Sequence, residues 1–238
     1  MRYSMALPRK SIRFRYHQTP TIGLMKYDTL IFDLDGTLTD PAVGIVRCMN
    51  YALTSMNFSP RLEKDITPYI GPPLEVAMRG LSGSDDANCI EQLITNYRER
   101  YGEFGFAENT VYDGIHTLLG TLQENGVRMG VCTSKFEKYA HKVLQNFDLF
   151  DYFEFANGSD YHIAKSEQLA ELLKAGTITS NALMIGDRAI DITSAQLNGL
   201  RGMGVLWGYG SRAELESANP VFIAERTQQL LDKLMAPD

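Results

Sequence analysis

A chain of 238 residues, 44% hydrophobic and 22% charged, is long enough to bury roughly 70 to 75% of its unfolded surface without a disulfide or metal staple. Its 23 Lys and Arg against 29 Asp and Glu leave a net charge of −6, which excludes a nucleic-acid polymer held on a basic face. The charge is uneven: Arg2, Arg9, Lys10, Arg13, Arg15 and Lys26 meet no acid in the first 27 residues, leaving 17 bases against 29 acids, or −12, for the rest.

Cys48, Cys89 and Cys132 are too widely spaced for a metal knuckle and odd in number, so a reducing, cytoplasmic setting fits best. His17, His116, His141 and His162 show no ligand spacing, which gives zinc little support. No stretch approaches the ~18 to 20 apolar residues of a membrane helix. Residues 1–25 are basic but weakly amphipathic and interrupted by Pro8 and Pro20. They read as a loose extension rather than a transit peptide or a secretory signal, with the domain beginning near Met25.

The first strand is expected at Thr29–Phe32, a short, wholly apolar and partly β-branched run ending in Asp33 and typical of a buried parallel strand. Asp40-Pro41 then reads as a cap with proline at the first helical position, opening a helix to about Asn57 with Val43, Val46, Met49, Leu53 and Met56 on one face. Gly71-Pro72-Pro73 starts a second helix through Leu74 to Leu81, and Ser84 caps a third carrying Ile90, Leu93, Ile94, Tyr97 and Tyr101. Asp113 caps a helix that stops at Asn125-Gly126. Further strands are expected at Val127–Cys132, Ala182–Ile185 and Met203–Leu206, with a weaker one at Tyr152–Phe155. Helices over Tyr139–Phe147, Ser166–Lys174 and Asp191–Asn198 lie between them. This alternation predicts an α/β fold: a Rossmann-like, doubly wound parallel sheet. The helices-only interval predicts an inserted cap domain at 41–111, with the core formed by 26–40 and 112–238.

Ligands of such sheets bind at the carboxyl ends of the strands. Those ends carry Asp33-Leu34-Asp35-Gly36-Thr37, Thr133-Ser134-Lys135, a loop reaching Lys165, and Gly186-Asp187-Arg188-Ala189-Ile190-Asp191. Singly each is weak; in order, four acids, a hydroxyl and an amine at one edge imply a ligand. Asp33, Asp35, Asp187 and Asp191 would repel without cations. Oxygen-only ligands point to Mg²⁺, and with Lys165 they suit a phosphate substrate.

These residues, DLDGTLTD from Asp33 to Asp40 with Thr133, Lys165 and Gly186–Asp191 in the same order, resemble the haloacid dehalogenase superfamily. The helical insertion and the tail Gly204–Arg212 look like its phosphoglycolate phosphatase-like branch. The resemblance covers about Lys26 to Leu234 and leaves out the basic arm. It implies that Asp33 is the nucleophile forming an aspartyl-phosphate and that Asp35 is the acid and then the base. It further implies that Thr133, the backbone of Ser134 and Lys165 hold phosphate. Mg²⁺ would be held by Asp33, the main-chain carbonyl of Asp35 and Asp187, with Asp191 at or just outside the metal shell. One departure is Ser166 where the family often has proline, which keeps Lys135 as a substitute for Lys165. Arg47 and Gly71 are candidate cap contacts to substrate.

The resemblance implies a phosphatase of a small phosphorylated metabolite, acting as monomer or homodimer, with glycolate, a nucleoside, a sugar or pyrophosphate as the leaving group. A true dehalogenase lacks an acid at the Asp35 position. A phosphonatase needs a lysine in the first insertion helix, which here contains Arg47 and no lysine. A β-phosphoglucomutase-like mutase and an inactive phosphate-ester-binding regulator remain as alternatives.

Overall fold

The computed structural model describes residues 26–159 and 163–236; the extension expected at 1–25 lies outside them. β1 (Thr29–Phe32) is buried along its whole length. Alternation along the strand sends Leu30 and Phe32 into one apolar cluster and Ile31 into another on the opposite face. β4 (Arg128–Phe136) and β6 (Ala182–Gly186) divide the same way: Met129, Val131, Leu183 and Ile185 on the first face, Cys132 and Met184 on the second. Strands covered on both faces have no solvent side, which is why their sequences read as continuous apolar runs.

β1 pairs in parallel with β4 on one side and β6 on the other. β5 (Phe155–Ser159), β7 (Arg201–Val205) and β8 (Ile223–Ala224) complete a six-stranded sheet in the order β5-β4-β1-β6-β7-β8, with every pairing parallel. Phe32 lies level with Val131 and Ile185, so Asp33, Thr133 and Asp187 emerge at one edge. β1 stands between the two directions in which the sheet grows, where open α/β sheets form their ligand crevice.

α5 (Ile115–Glu124), α6 (Glu137–Asn146) and α10 (Thr227–Met235) contribute to the first cluster. α7 (Lys165–Lys174) and α8 (Ala189–Leu197) contribute to the second. α9 (Arg212–Ser217) sets Leu215 against Ile192 of α8.

Between β1 and α5 the chain leaves the sheet through two-residue strands, β2 (Thr39–Asp40) and β3 (Thr110–Val111), paired antiparallel. They flank α1 (Ala42–Ser55), α2 (Glu63–Ile66), α3 (Leu74–Ser82) and α4 (Ala87–Glu103). This helical insertion has its own apolar cluster, with Cys48, Leu53, Met78, Leu93 and Tyr101 buried together. The N–H of Ala42 donates to Asp40 Oδ1 at 2.9 Å, so Asp40 satisfies the first helical N–H, while Pro41 takes the cap position one residue before the expected one and the helix opens at Ala42.

Three local expectations change. α4 is capped by Asp86, whose Oδ1 accepts from the Cys89 N–H at 3.0 Å, while Ser84 lies further out. Gly114, at φ +79°, precedes α5 without a side-chain cap, and the Asp113 carbonyl instead accepts from Thr227 Oγ1 at 3.0 Å. The weak strand expected at 152–155 begins only at Phe155, because the β4 ladder starts there with Gly130 opposite.

Candidate active site

Asp33 follows β1, and its N–H extends the sheet by donating to the Ile185 carbonyl at 2.9 Å. Lys165 opens α7 on the adjoining side. Its buried Nζ lies 3.0 Å from Asp33 Oδ1 and donates to Asp191 Oδ1. Asp191, in the first turn of α8, accepts through Oδ2 from the Arg188 N–H at 3.0 Å. Asp187 accepts from the Tyr209 N–H at 2.8 Å and from Thr37 Oγ1 at 3.3 Å. Asp33, Lys165, Asp187 and Asp191, from three separate stretches of the chain, thus form one buried group at the carboxyl edge of the sheet.

Ligand oxygens of Asp33, Asp187 and Asp191 lie within 4.8 Å of one another. Burial first, then the charges of Asp191 and Asp33, push the Asp187 carboxyl up to about 8. Burial also raises Asp191, although Lys165 opposes it. Burial alone would lower Lys165, but contact with Asp191 and Asp33 outweighs it and holds the ammonium above its ordinary range. One lysine therefore leaves three buried carboxyls short of positive charge, and an all-oxygen set of this kind fits a hard divalent cation.

Two glycines explain how the chain packs so tightly here. Gly36 adopts φ +88°, and a Cβ there would lie 2.2 Å from Asp187 Oδ2. A Cβ on Gly208 would lie 2.3 Å from the Gly36 carbonyl oxygen and 2.4 Å from the Asp187 side chain. The turn after β1 and the loop after β7 close around Asp187 only because neither bears a side chain.

Asp35 stands beside this group. Its Oδ2 lies 2.6 Å from Lys135 Nζ, while its buried Oδ1 has no hydrogen-bond partner. Burial raises its pKa, with Lys135 pulling the other way and Asp33 adding to the rise. Thr133 is buried, and its Oγ1 accepts from the Lys135 N–H at 3.2 Å. The Thr133 carbonyl accepts from Gln168 Nε2 at 3.2 Å, tying β4 to the helix that carries Lys165. Ser134 is exposed. The ladder to β5 is irregular between Cys132 and Phe136, and such bulges re-aim side chains beside active sites.

The two lysines thus serve different carboxyls: Lys165 meets Asp33 and Asp191, whereas Lys135 meets Asp35. Arg47 is 59% exposed and pairs with Glu108 at 2.8 Å, a carboxylate that also accepts from Arg100. Gly71 sits nearer the acids: at φ +103°, its absent Cβ would lie 3.3 Å from Arg188 Nη1. Arg188 donates to the Ile70 carbonyl at 2.7 Å and to Glu214 at 2.8 Å, docking that turn beside the Asp187–Asp191 loop. Sequence reasoning assigned no role to Thr37, Tyr101, Arg188 or Tyr209, although Thr37 and Arg188 stand inside the Asp33–Asp40 and Gly186–Asp191 motifs and Tyr209 inside the Gly204–Arg212 tail.

The haloacid dehalogenase-like hydrolase family matches residues 30–205. A 5'-nucleotidase of Pseudomonas aeruginosa is 36% identical over 200 residues, covering 82% of this chain and 90% of that one. The tyrosine-protein kinase PtkA of Mycobacterium tuberculosis is 36% identical over 186 residues, covering 76% and 62% respectively. A phosphoglycolate phosphatase of Agrobacterium fabrum is 29% identical over 221 residues, covering 87% and 93%. The crystal structure of a predicted phosphatase from Clostridium acetobutylicum superposes with a TM-score of 0.82 at 33% identity, covering 88% and 98%. Together with the ordered acids, the paired lysines and the helical insertion, these matches make the chain a member of the haloacid dehalogenase-like hydrolase family, an enzyme of its phosphatase type.

Proposed function

We propose that this chain is a Mg²⁺-dependent phosphatase of small phosphate monoesters, similar to the phosphoglycolate phosphatases, working through an aspartyl-phosphate on Asp33. The observation that carries this reading is the buried convergence of Asp33, Lys165, Asp187 and Asp191 at the carboxyl edge of the sheet. Asp33, Asp187 and the Asp35 carbonyl would hold the ion, with Asp191 at or just outside its shell. When bound, Mg²⁺ supplies positive charge against the phosphoryl oxygens.

Lys165 tethers the Asp33 carboxylate and would pair with the transferring group as well. Thr133 and the Ser134 N–H would bind its other oxygens. Asp33 attacks phosphorus, the bond to the leaving oxygen breaks, and Asp35 donates a proton to that oxygen. Water then attacks the phosphorylated Asp33 while Asp35 takes a proton back. Burial favours a protonated Asp35, as this double role requires. Splitting a very slow hydrolysis into two displacements is the use of the covalent intermediate.

The domain reading accompanies this proposal: 41–111 acts as a cap over the core of 26–40 and 112–238, excluding water from the first displacement. A reducing, cytoplasmic setting suits the three free cysteines. Among the described residues, no helix is long and apolar enough to cross a membrane.

The test is a screen of phosphate esters with glycolate, nucleoside, sugar and pyrophosphate leaving groups, with Mg²⁺ present and free phosphate as readout. Release that EDTA silences and Mg²⁺ restores, and that Asp33→Asn abolishes, is expected. Undiminished release by that variant would remove the mechanism; transfer of the phosphoryl group within a sugar phosphate would favour a mutase.

A further inference from the structure

Lys135 occupies an unusual place. Its side chain is 7% exposed, yet it belongs to neither the Asp33 group nor the solvent. It lies against Asp35 Oδ2 at 2.6 Å and donates to Tyr101 Oη at 2.8 Å. Tyr101 comes from the last turn of α4, in the helical insertion, and is 1% exposed. Its ring stacks on Tyr97 at 5.5 Å and leans on Tyr139 of α6 at 5.2 Å. Two neighbouring rings therefore fix the Tyr101 ring, and Lys135 has one acceptor on the insertion and a second on the core. Asp35 is the first residue whose orientation this determines. With Oδ2 engaged by the lysine, the other oxygen, Oδ1, is buried and has no hydrogen-bond partner.

We infer that Lys135 and Tyr101 are positioning residues that hold Asp35 with Oδ1 facing the leaving oxygen, so that the insertion helix α4 aims the acid of the core. The inference rests on the phosphatase reading above and deepens it by assigning the proton-carrying atom. In the first displacement the phosphorus–leaving-oxygen bond breaks, the Asp33–phosphorus bond forms, and the proton on Asp35 Oδ1 passes to the leaving oxygen. In the second, the water oxygen bonds to phosphorus, the Asp33–phosphorus bond breaks, and Oδ1 recovers a proton from that water. Lys135 and Tyr101 neither gain nor lose a proton in either step. Their contribution is angular: a carboxyl free to rotate presents either oxygen, whereas a clamped one presents Oδ1 alone.

The test separates an aimed acid from general disruption by changing the leaving group. A simple alkyl phosphate needs a proton on the departing oxygen; 2,4-dinitrophenyl phosphate does not. With Mg²⁺ present, kcat and KM are measured on both for the wild type, Asp35→Asn, Tyr101→Phe, Lys135→Met and Lys135→Arg. Tyr101→Phe keeps the ring stack, so it remains informative even if Lys135→Met folds poorly. Tyr101→Phe and Lys135→Met should lose about tenfold more kcat on the alkyl ester than on the aryl ester, a part of the roughly 10²- to 10⁴-fold that general acid–base catalysis supplies. KM should change little, and Lys135→Arg should restore part of the difference. Equal losses on both esters, or none, would overturn the inference. If Asp35→Asn shows the leaving-group dependence and the Tyr101 and Lys135 variants do not, the positioning claim alone fails. If the wild type releases phosphate from neither these esters nor any in the screen, the phosphatase reading fails first.

Discussion

Lys165→Met tests the charge balance of the site without requiring a substrate. The substitution keeps most of the aliphatic stem and removes the ammonium that touches both Asp33 and Asp191. Both carboxyls are buried, as is the lysine, so solvent cannot replace the lost contact. Breaking a buried pair by removing one partner costs about 3 to 5 kcal/mol. For a folded unit of this size that corresponds to a melting temperature lower by roughly 6 to 20 °C. The assay is thermal unfolding followed by circular dichroism in EDTA. The loss should be largest near pH 8 and shrink in mild acid, because Asp187, pushed up to about 8 by burial and by the charges of Asp191 and Asp33, then holds a proton and repels its neighbours less. A variant that melts within about 1 °C of the wild type at pH 8 would refute the view that Lys165 neutralises this group.

The wild type without metal should itself lose stability as pH rises between about 5 and 8. Keeping Asp187 protonated stabilises the fold fully below its ordinary value of 3.8, and that contribution disappears as pH passes through about 8. Mg²⁺ should raise the melting temperature most at the alkaline end, where the ligand is ionised; a metal effect larger at pH 6 than at pH 8 would contradict this. Gly208→Ala should weaken Mg²⁺ binding as read by calorimetry, because the new methyl group meets the Gly36 carbonyl and Asp187 at under 2.5 Å; unaltered affinity would show that the loop yields freely. Arg188→Gln should speed amide hydrogen exchange over residues 67–71 by about tenfold or more, since it removes a charged donor from the Ile70 carbonyl. Unchanged exchange there would mean that the turn is held by other contacts.

Much of this protein is legible along the chain. The apolar run Thr29–Phe32 could only be a strand covered on both faces, and the acids at the ends of such runs had to meet once the strands were parallel. The helices-only interval marked an insertion because no strand pattern interrupts it. Asp40-Pro41 declared the start of α1 through local geometry that needs no tertiary partner. Errors arose where a neighbour outvoted the local signal. Asp113 has the right chemistry for a cap, but Gly114, in the left-handed region, takes the position before α5. Likewise Tyr152–Phe155 has strand propensity, but the register with β4 sets the start at Phe155.

The division of labour between the two lysines lay beyond sequence reasoning. Lys135 and Lys165 follow similar strand ends, and either could neutralise an acid; only the path of β4 past its irregularity and the placement of α7 separate them. Arg47 and Tyr101 show the same limit from the insertion side. Arg47, the arginine in α1 considered for an anion contact, pairs with Glu108, and Tyr101, indistinguishable in sequence from a core residue of α4, reaches Lys135. Which chemical groups gather at the sheet edge can be read along the chain, because the hydrophobic period that marks each strand and the polar residues that end it are local signals. Which lysine serves which carboxyl, and which insertion residue touches the core, was decided by tertiary structure. Those contacts depend on the angle at which separately folded surfaces meet, and no local period encodes that angle.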